Sequence, residues 1–405
     1  MPHVSVSIVQ SDRRRGTIER GYAMERYYDR QRPVQARQTG GRRRRKKRRG
    51  GRTLLWTLAV GGVFTVALLI YLVFFSDRER TISMEATPIS TAMTHLNTGR
   101  GLLYQTDGQL HYFDWADHKK NYTAGTTSSD IKMSGSSTMS AVYNASFLHV
   151  VGQDNAIPFT GSIDTVECGD NYLAVLRRDS EGSESVLVLT RQGEQIDQLL
   201  PGDQFIVDFG FYKTSAGEML WVEMLSDTAS QPTTTIRTYD LAKHAQTGAI
   251  QVQNQLVEDL YINTSSIFVS GTNQIIRYTH DGNKEAYRIT VYGYRVLDFS
   301  SAGNPTFLLT PRGGDMHAVK LLQLSDTAVP AVTETYLQLQ SEGVASFLMN
   351  GSLIVVSRDR MFTYTLKGKL SDTALFELPV DSAHKLSETM LLLESNGLYY
   401  TASIK

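Results

Sequence analysis

The chain has 405 residues, 41% of them apolar, and its 41 basic and 41 acidic side chains leave no net charge. This composition supports a sizeable folded core and excludes a wholly disordered chain, and a single cysteine excludes an intramolecular disulfide framework. The neutral total hides an asymmetry: residues 1–52 carry 17 basic and 4 acidic groups and residues 53–405 carry 24 and 37, so the two parts sit near +13 and −13.

Residues 1–41 are polar and Arg-rich, without apolar periodicity, and cannot bury enough surface to offset the entropy of ordering. Residues 1–52 are therefore predicted to be a disordered basic tail. Within it ERGYAMERYYDRQRP, residues 19–33, mixes Tyr with Arg, and a solvated tail is preferred there over a docking segment. The stretch TLLWTLAVGGVFTVALLIYLVFF, residues 53–75, has 23 residues without a charge. As a helix it would extend roughly 34 Å, enough to cross a hydrocarbon core of about 30 Å. It has no polar face. A cleaved signal peptide is disfavoured, because the run is too long for a signal core and the following SDRERT offers no small-x-small cleavage site.

Arg42, Arg43, Arg44, Arg45, Lys46, Lys47, Arg48, Arg49 and Arg52 abut this run, which predicts a cytoplasmic N-terminus and an external C-terminal body. Trp56 and Tyr71 suit interfacial anchors. The same cluster suits anionic lipid headgroups, at about 1 kcal/mol per charge near the surface. Nucleic acid is not expected as a partner, since no stacking or groove-reading element follows.

Residues 76–95 read as a linker with a candidate ring-closing strand, and residues 96–405 as the folded domain. There, runs rich in Val, Ile, Leu, Phe and Tyr alternate with Gly, Asp, Asn and Ser turns, and long helical periodicity is missing. The runs pair as hairpins whose first strands begin near 101, 138, 171, 218, 266, 305, 352 and 389, a mean spacing of about 41 residues. Short runs before the hairpins, such as DTVECGD, RVLDFS and GVASF, supply a further, innermost strand. The expected fold is all-β, a β-propeller of seven or eight blades preceded by one transmembrane helix. A two-domain β-sandwich array is the alternative, but it gives no reason for similar units at one period. Eight hairpins favour eight blades, whereas reading the short second unit, about 131–163, as an insertion leaves seven. Pairing of 81–95 with the C-terminal hairpin would close the ring and make truncation after Leu391 strongly destabilising.

At this level the chain resembles β-propellers of the WD40, YVTN and quinoprotein-like kind, with YDLAKHAQTG, Tyr239 to Gly248, similar to a quinoprotein strand-turn segment. More narrowly it resembles a bacterial family of unknown function in which an Arg/Lys-rich tail and one membrane helix precede an extracytoplasmic propeller. The docking tryptophan of quinoprotein repeats does not recur, and the WD dipeptide does not occur. No cofactor is expected.

Local catalytic patterns are weak. The nine histidines are dispersed, with no H-E-x-x-H, no paired cysteines and no G-x-S-x-G. Ser129-Asp-Ile-Lys132 and Ser382-Ala-His-Lys385 match S-x-x-K without its helical context, Gly313-Gly314 reads as a hairpin turn, and Cys168 as a buried thiol. The pentapeptide LSDTA at 225–229, 324–328 and 370–374 reads as turn chemistry, because Ser and Asp hydrogen bond to nearby backbone N–H groups. One aspartate per copy (Asp227, Asp326, Asp372) falls short of a calcium shell. Glycosylation-type triplets at Asn121, Asn144, Asn263 and Asn350 are read as chance matches.

A lone cysteine in an external body of this size points to a bacterial cell surface of the single-membrane, Gram-positive type. The expected function is non-enzymatic binding or scaffolding at the envelope, with a protein or glycan partner and no metal site. The alternative is an envelope hydrolase acting on glycan or peptide through acidic residues that converge from different blades at the channel.

Overall fold

The computed structural model describes residues 61–62, 64–65, 80–126, 130–226, 232–313, 317–325, 327, 330–341 and 343–404. The chain divides into two units, 1–76 and 77–405. Gly61, Gly62, Phe64 and Thr65 of the first are helical and exposed, and the rest of the sequence-predicted span lies outside the described residues. Among the described residues no helix is long and apolar enough to cross a membrane.

The second unit is an eight-bladed β-propeller. Its strands start with β1 (Arg80–Ile82) and β2 (Glu85–Ser90). Blade 1 is β3 (His95–Asn97), β4 (Leu102–Thr106), β5 (Gln109–Phe113) and β6 (Tyr122–Thr126); blade 2 is β7 (Lys132–Gly135), β8 (Ser140–Asn144) and β9 (Phe147–Val150). Blade 3 is β10 (Ser162–Cys168), β11 (Tyr172–Arg178), β12 (Glu184–Thr190) and β13 (Gln195–Leu199). Blade 4 is β14 (Phe205–Thr214), β15 (Gly217–Ser226), β16 (Thr233–Asp240) and β17 (Ala245–Gln253); blade 5 is β18 (Val257–Ile262), β19 (Ser266–Gly271), β20 (Gln274–Thr279) and β21 (Glu285–Thr290). Blade 6 is β22 (Tyr294–Ser300), β23 (Thr306–Pro311), β24 (Ala318–Leu324) and β25 (Val332–Gln338). Blade 7 is β26 (Ala345–Met349), β27 (Ser352–Val356), β28 (Arg360–Thr365) and β29 (Leu370–Phe376); blade 8 is β30 (Ser382–Ser387), β31 (Met390–Ser395) and β32 (Leu398–Ser403).

The short second unit is thus a blade and not an insertion. It has three strands, and a single bridge, Leu148 to Ile157, stands where a fourth would run. Tight hairpins arise where the sequence offers Asp-Gly or Asn-Gly: Asp107-Gly108, Asn350-Gly351 and Asn396-Gly397 all have positive φ at both positions, the geometry that matches strand twist in a two-residue turn.

Middle strands are buried on both faces, and the alternation of their side chains assigns each face to a different neighbouring blade. In β11, Leu173 and Val175 pack with blade 2, while Ala174 packs with blade 4. Among the described residues the core consists of eight apolar clusters, and every adjacent pair of blades shares one. The cluster joining blade 8 to blade 1 combines Leu386, Leu392 and Tyr399 with Leu102 and Phe113, so the ring is closed.

Closure uses the N-terminal strands. β2 pairs antiparallel with β32 and becomes the outermost strand of blade 8, burying Ile89 completely. β1 pairs parallel with β29, adding a fifth strand to blade 7. The third LSDTA copy lies in β29, so it is extended strand and not turn. Parallel pairing with β1 brings Asp372 to within 3.4 Å of Arg80, an ion pair that holds it to that strand. In the other copies Leu225 and Ser226 end β15 and Leu324 ends β24, while Asp227 and Asp326 lie outside the described residues.

Candidate functional site on the channel wall

The innermost strand of each blade lines the central channel of a propeller. In blades 3 to 6 that strand carries a β-bulge at Asp164, Val207, Glu258 and Leu297, where the ladder to the second strand skips one residue. In blades 4, 5 and 6 the residue after the bulge is an aspartate: Asp208, Asp259 and Asp298, in IVDF, VEDL and VLDF. Each carboxylate accepts the next residue's backbone N–H, from Phe209, Leu260 and Phe299, at 2.8 Å in all three cases. The short aspartate side chain thus reaches the backbone N–H next to the bulge.

These aspartates belong to a larger acidic array. Glu167 of β10 is held by Ser134 of blade 2, whose hydroxyl donates to its Oε2 at 3.4 Å. Burial pushes the Glu167 carboxyl above its ordinary range, and Asp208 adds to the rise. Asp208 is itself raised, first by desolvation and then by Asp259. Its side chain meets water but is ringed by protein, as on the wall of a narrow channel, and poor solvation disfavours its charge. Glu223, opposite Asp208 on β15, is only 7% exposed. Burial, then the charges of Asp208 and Asp259, push it up to about 7. In blade 6, burial raises Asp298, and its Oδ2 accepts the Leu348 N–H of blade 7 at 2.7 Å. Lys385 of blade 8 ends this side of the array, donating to the Leu348 carbonyl and pairing with Glu388, both at 2.6 Å.

The result is a chain of carboxyl groups spread over four consecutive blades, with one cation beyond it. Among the described residues no three His, Cys, Asp or Glu side chains stand close enough to hold a metal ion. The arrangement can attract and neutralise an organic cation, and Glu223 can carry a proton near neutral pH.

The sequence-predicted positions fall elsewhere. Arg42, Arg43, Arg44, Arg45, Lys46, Lys47, Arg48, Arg49, Arg52 and Trp56 all lie outside the described residues. Ser382 donates to Glu394 at 2.6 Å whereas Lys385 serves blade 7, so this S-x-x-K pair splits into two structural contacts. Of the other pair, Lys132 donates to the Asp164 carbonyl and Ser129 lies outside the described residues. The Cys168 thiol is buried against the Ser134 carbonyl, and burial pushes it up to about 12. Sequence reasoning missed the recurring apolar-x-Asp-apolar pattern of the inner strands and the single acid in LWVEML, residues 220–225, both visible in the chain.

No family model and no curated sequence matches the chain. Among solved structures it is similar to the computationally designed Ika8 protein, with a TM-score of 0.50 and 9% identity over 80% of this chain and 99% of that one. It is also similar to the C-terminal WD40 domain of Sif2, with a TM-score of 0.50 and 10% identity over 81% and 98%. BamB from Moraxella catarrhalis superposes with a TM-score of 0.48 and 9% identity over 78% and 98%. At these identities the first two likenesses speak for the fold alone.

Proposed function

We propose that the protein is a single-pass membrane anchor bearing an extracytoplasmic β-propeller, which acts as a non-enzymatic binding or scaffolding module at a bacterial cell envelope. The observation that carries the binding role is the acidic array: Glu167, Asp208, Asp259 and Asp298 stand on the inner strands of four consecutive blades, with Glu223 buried opposite Asp208 on the second strand of blade 4. Carboxylates held in a concave, poorly solvated site favour a basic partner and speed its encounter. The anchoring role is supported by the uncharged run 53–75 and the basic cluster before it. In-cell crosslinking of the full-length protein, with mass spectrometry of what is captured on the 77–405 side, tests the reading. Reproducible recovery of one envelope protein supports it, and recovery of wall glycan redirects it to a glycan ligand. Protease digestion of intact cells tests the topology: residues 77–405 should be cleaved while residues 1–52 stay protected.

One observation favours hydrolysis as a second reading. Glu223, with its carboxyl near 7, sits among carboxylates, and neighbouring acids of unequal proton affinity are what general acid and base catalysis requires. Turnover of wall glycan or peptide by the purified protein, lost in Glu223→Gln, would establish it.

A further inference from the structure

Successive strands of a blade alternate in direction, so the turns from first to second strand and from third to fourth lie at one end of the ring. At that end, turns from three consecutive blades border one open cleft of about 410 Å³. They are 98–101 and 114–121 of blade 1, 136–139 of blade 2 and 191–194 of blade 3. These turns are pinned in place. Thr98 donates to the Gly101 carbonyl at 3.0 Å, Ser136 to the Gly169 carbonyl of blade 3 at 2.7 Å, and Thr138 to that of Asp170 at 3.0 Å. A Cβ on Gly193 would come within 2.7 Å of Ile157, so the turn that carries Arg191 rests on the bridge that stands in for the fourth strand of blade 2.

The lining is basic. Arg100, Lys120 and Arg191 border the cleft together with one acid, Asp114. Asp114 already accepts the N–H groups of Ala116 and Asp117, both at 2.9 Å. Lys120 pairs with Asp117 at 3.5 Å, while neither arginine makes an ion pair among the described residues. Burial raises the Tyr112 hydroxyl and the Arg100 charge opposes that rise, which sets Arg100 beside the ring. Guanidinium groups sharing a cleft repel one another, and an oxyanion relieves that repulsion through paired N–H donors.

One side of the cleft is aromatic. Tyr112 and Tyr122 are partners on β5 and β6, with ring centroids 5.2 Å apart and planes 31° from parallel. That spacing leaves no room for a planar base between them, so the rings offer only their outer faces. Tyr112 is fixed from behind, because a Cβ on Gly101 would lie 2.5 Å from its ring. Ser137 and Ser140 bring hydroxyls to the cleft from blade 2. A sugar ring has apolar C–H groups on one face and hydroxyls at its rim, which matches tyrosine faces beside serine hydroxyls.

We propose that this cleft binds a sugar carrying a phosphate or carboxylate group, with the anion on Arg100 and Arg191 and the ring against Tyr112 and Tyr122. The site lies on other residues than the acidic array and has the opposite charge, so neither reading depends on the other.

The test uses the full-length protein in a detergent without sugar headgroups, titrated calorimetrically with glucose-6-phosphate, glucuronate, glucose, inorganic phosphate and uridine monophosphate. The tighter of the two anionic sugars should bind at least about tenfold more strongly than glucose, and raising salt from about 50 to about 500 mM should weaken it severalfold. It should also bind more tightly than inorganic phosphate, and its identity tells which anion the arginines prefer. Combining Arg100→Gln with Arg191→Gln should abolish the preference over glucose, and Tyr122→Ala the preference over phosphate. Lys367→Gln, in a turn of blade 7, should change neither. All four side chains are exposed, so the melting temperature should hold in every variant. No binding of either anionic sugar, inorganic phosphate as tight as the sugar, uridine monophosphate tighter than both, or an undiminished preference in the double-arginine variant would each overturn the proposal. Crosslinking of a protein partner tests the channel reading separately, and its failure would leave this site standing.

Discussion

Glu223 concentrates the energetic tension of the channel wall in one side chain. An ordinary glutamate titrates near 4.5, and Glu223 near 7, so between these values the folded state holds a proton that the unfolded state has released. Stability therefore falls as pH rises through this window, the opposite of a salt-bridged acid. Glu223→Gln, which cannot ionise, should match the wild type near pH 5 and exceed it near pH 8 by roughly 1–3 kcal/mol, as urea titrations at both values would show. Asp298 is the contrasting case, because its carboxylate closes two backbone N–H groups, those of Phe299 and Leu348. Asp298→Ala strands both and should cost about 1–3 kcal/mol at neutral pH, measured in the same titration. Cys168 makes a third, chemical prediction. With its thiol raised to about 12 by burial, native protein at about pH 8 should resist maleimide, and protein in concentrated urea should be labelled, with mass spectrometry as readout.

Among elements, β2 has a role out of proportion to its length. It is the outer strand of blade 8, it buries Ile89, and Thr87 donates to the Tyr399 carbonyl at 2.8 Å. The neighbouring β1 is secured by its ladder to β29 and by the Arg80–Asp372 pair, and Met84 donates its N–H to Glu377 at 3.1 Å. One N-terminal segment thereby staples blades 7 and 8 from outside. Ile89→Ala should cost about 2–5 kcal/mol, since the strand cannot collapse into the space left. Truncation after Leu391 removes β32 and most of β31, leaving β2 without a partner and the cluster shared with blade 1 without Tyr399. That truncation should abolish the single cooperative thermal transition, and an unchanged melt would refute closure as the source of ring stability. LSDTA makes the same point about context: identical residues end a strand in two copies and lie within a strand in the third.

Around the ring, among the described residues, stability is distributed in eight shared clusters, whereas the inner-strand acids Glu167, Asp208, Asp259 and Asp298 fall in four consecutive blades. The repeat was legible in the chain, because a strand buried on both faces must be apolar throughout and each reversal needs Gly, Asn or Asp. Alternating runs such as SIFVSG and QIIRYT therefore announce blades, and their mean period of about 41 residues announces a propeller. Eight hairpins favoured eight blades, as found, but seven stayed open in sequence because the short second unit, with three strands and one bridge, reads equally as an insertion. The acidic array was not legible, although each of its members stood in plain view. Asp208 and Asp259 are separated by a whole blade of sequence, and Glu223 reads alone as a misplaced charge in an apolar strand. Local physics, which acts between neighbours in the chain, thus determined strands, turns and the charge asymmetry of the two parts. The packing of successive blades decided which acids of different blades meet, because it alone brings separate inner strands within electrostatic reach of one another.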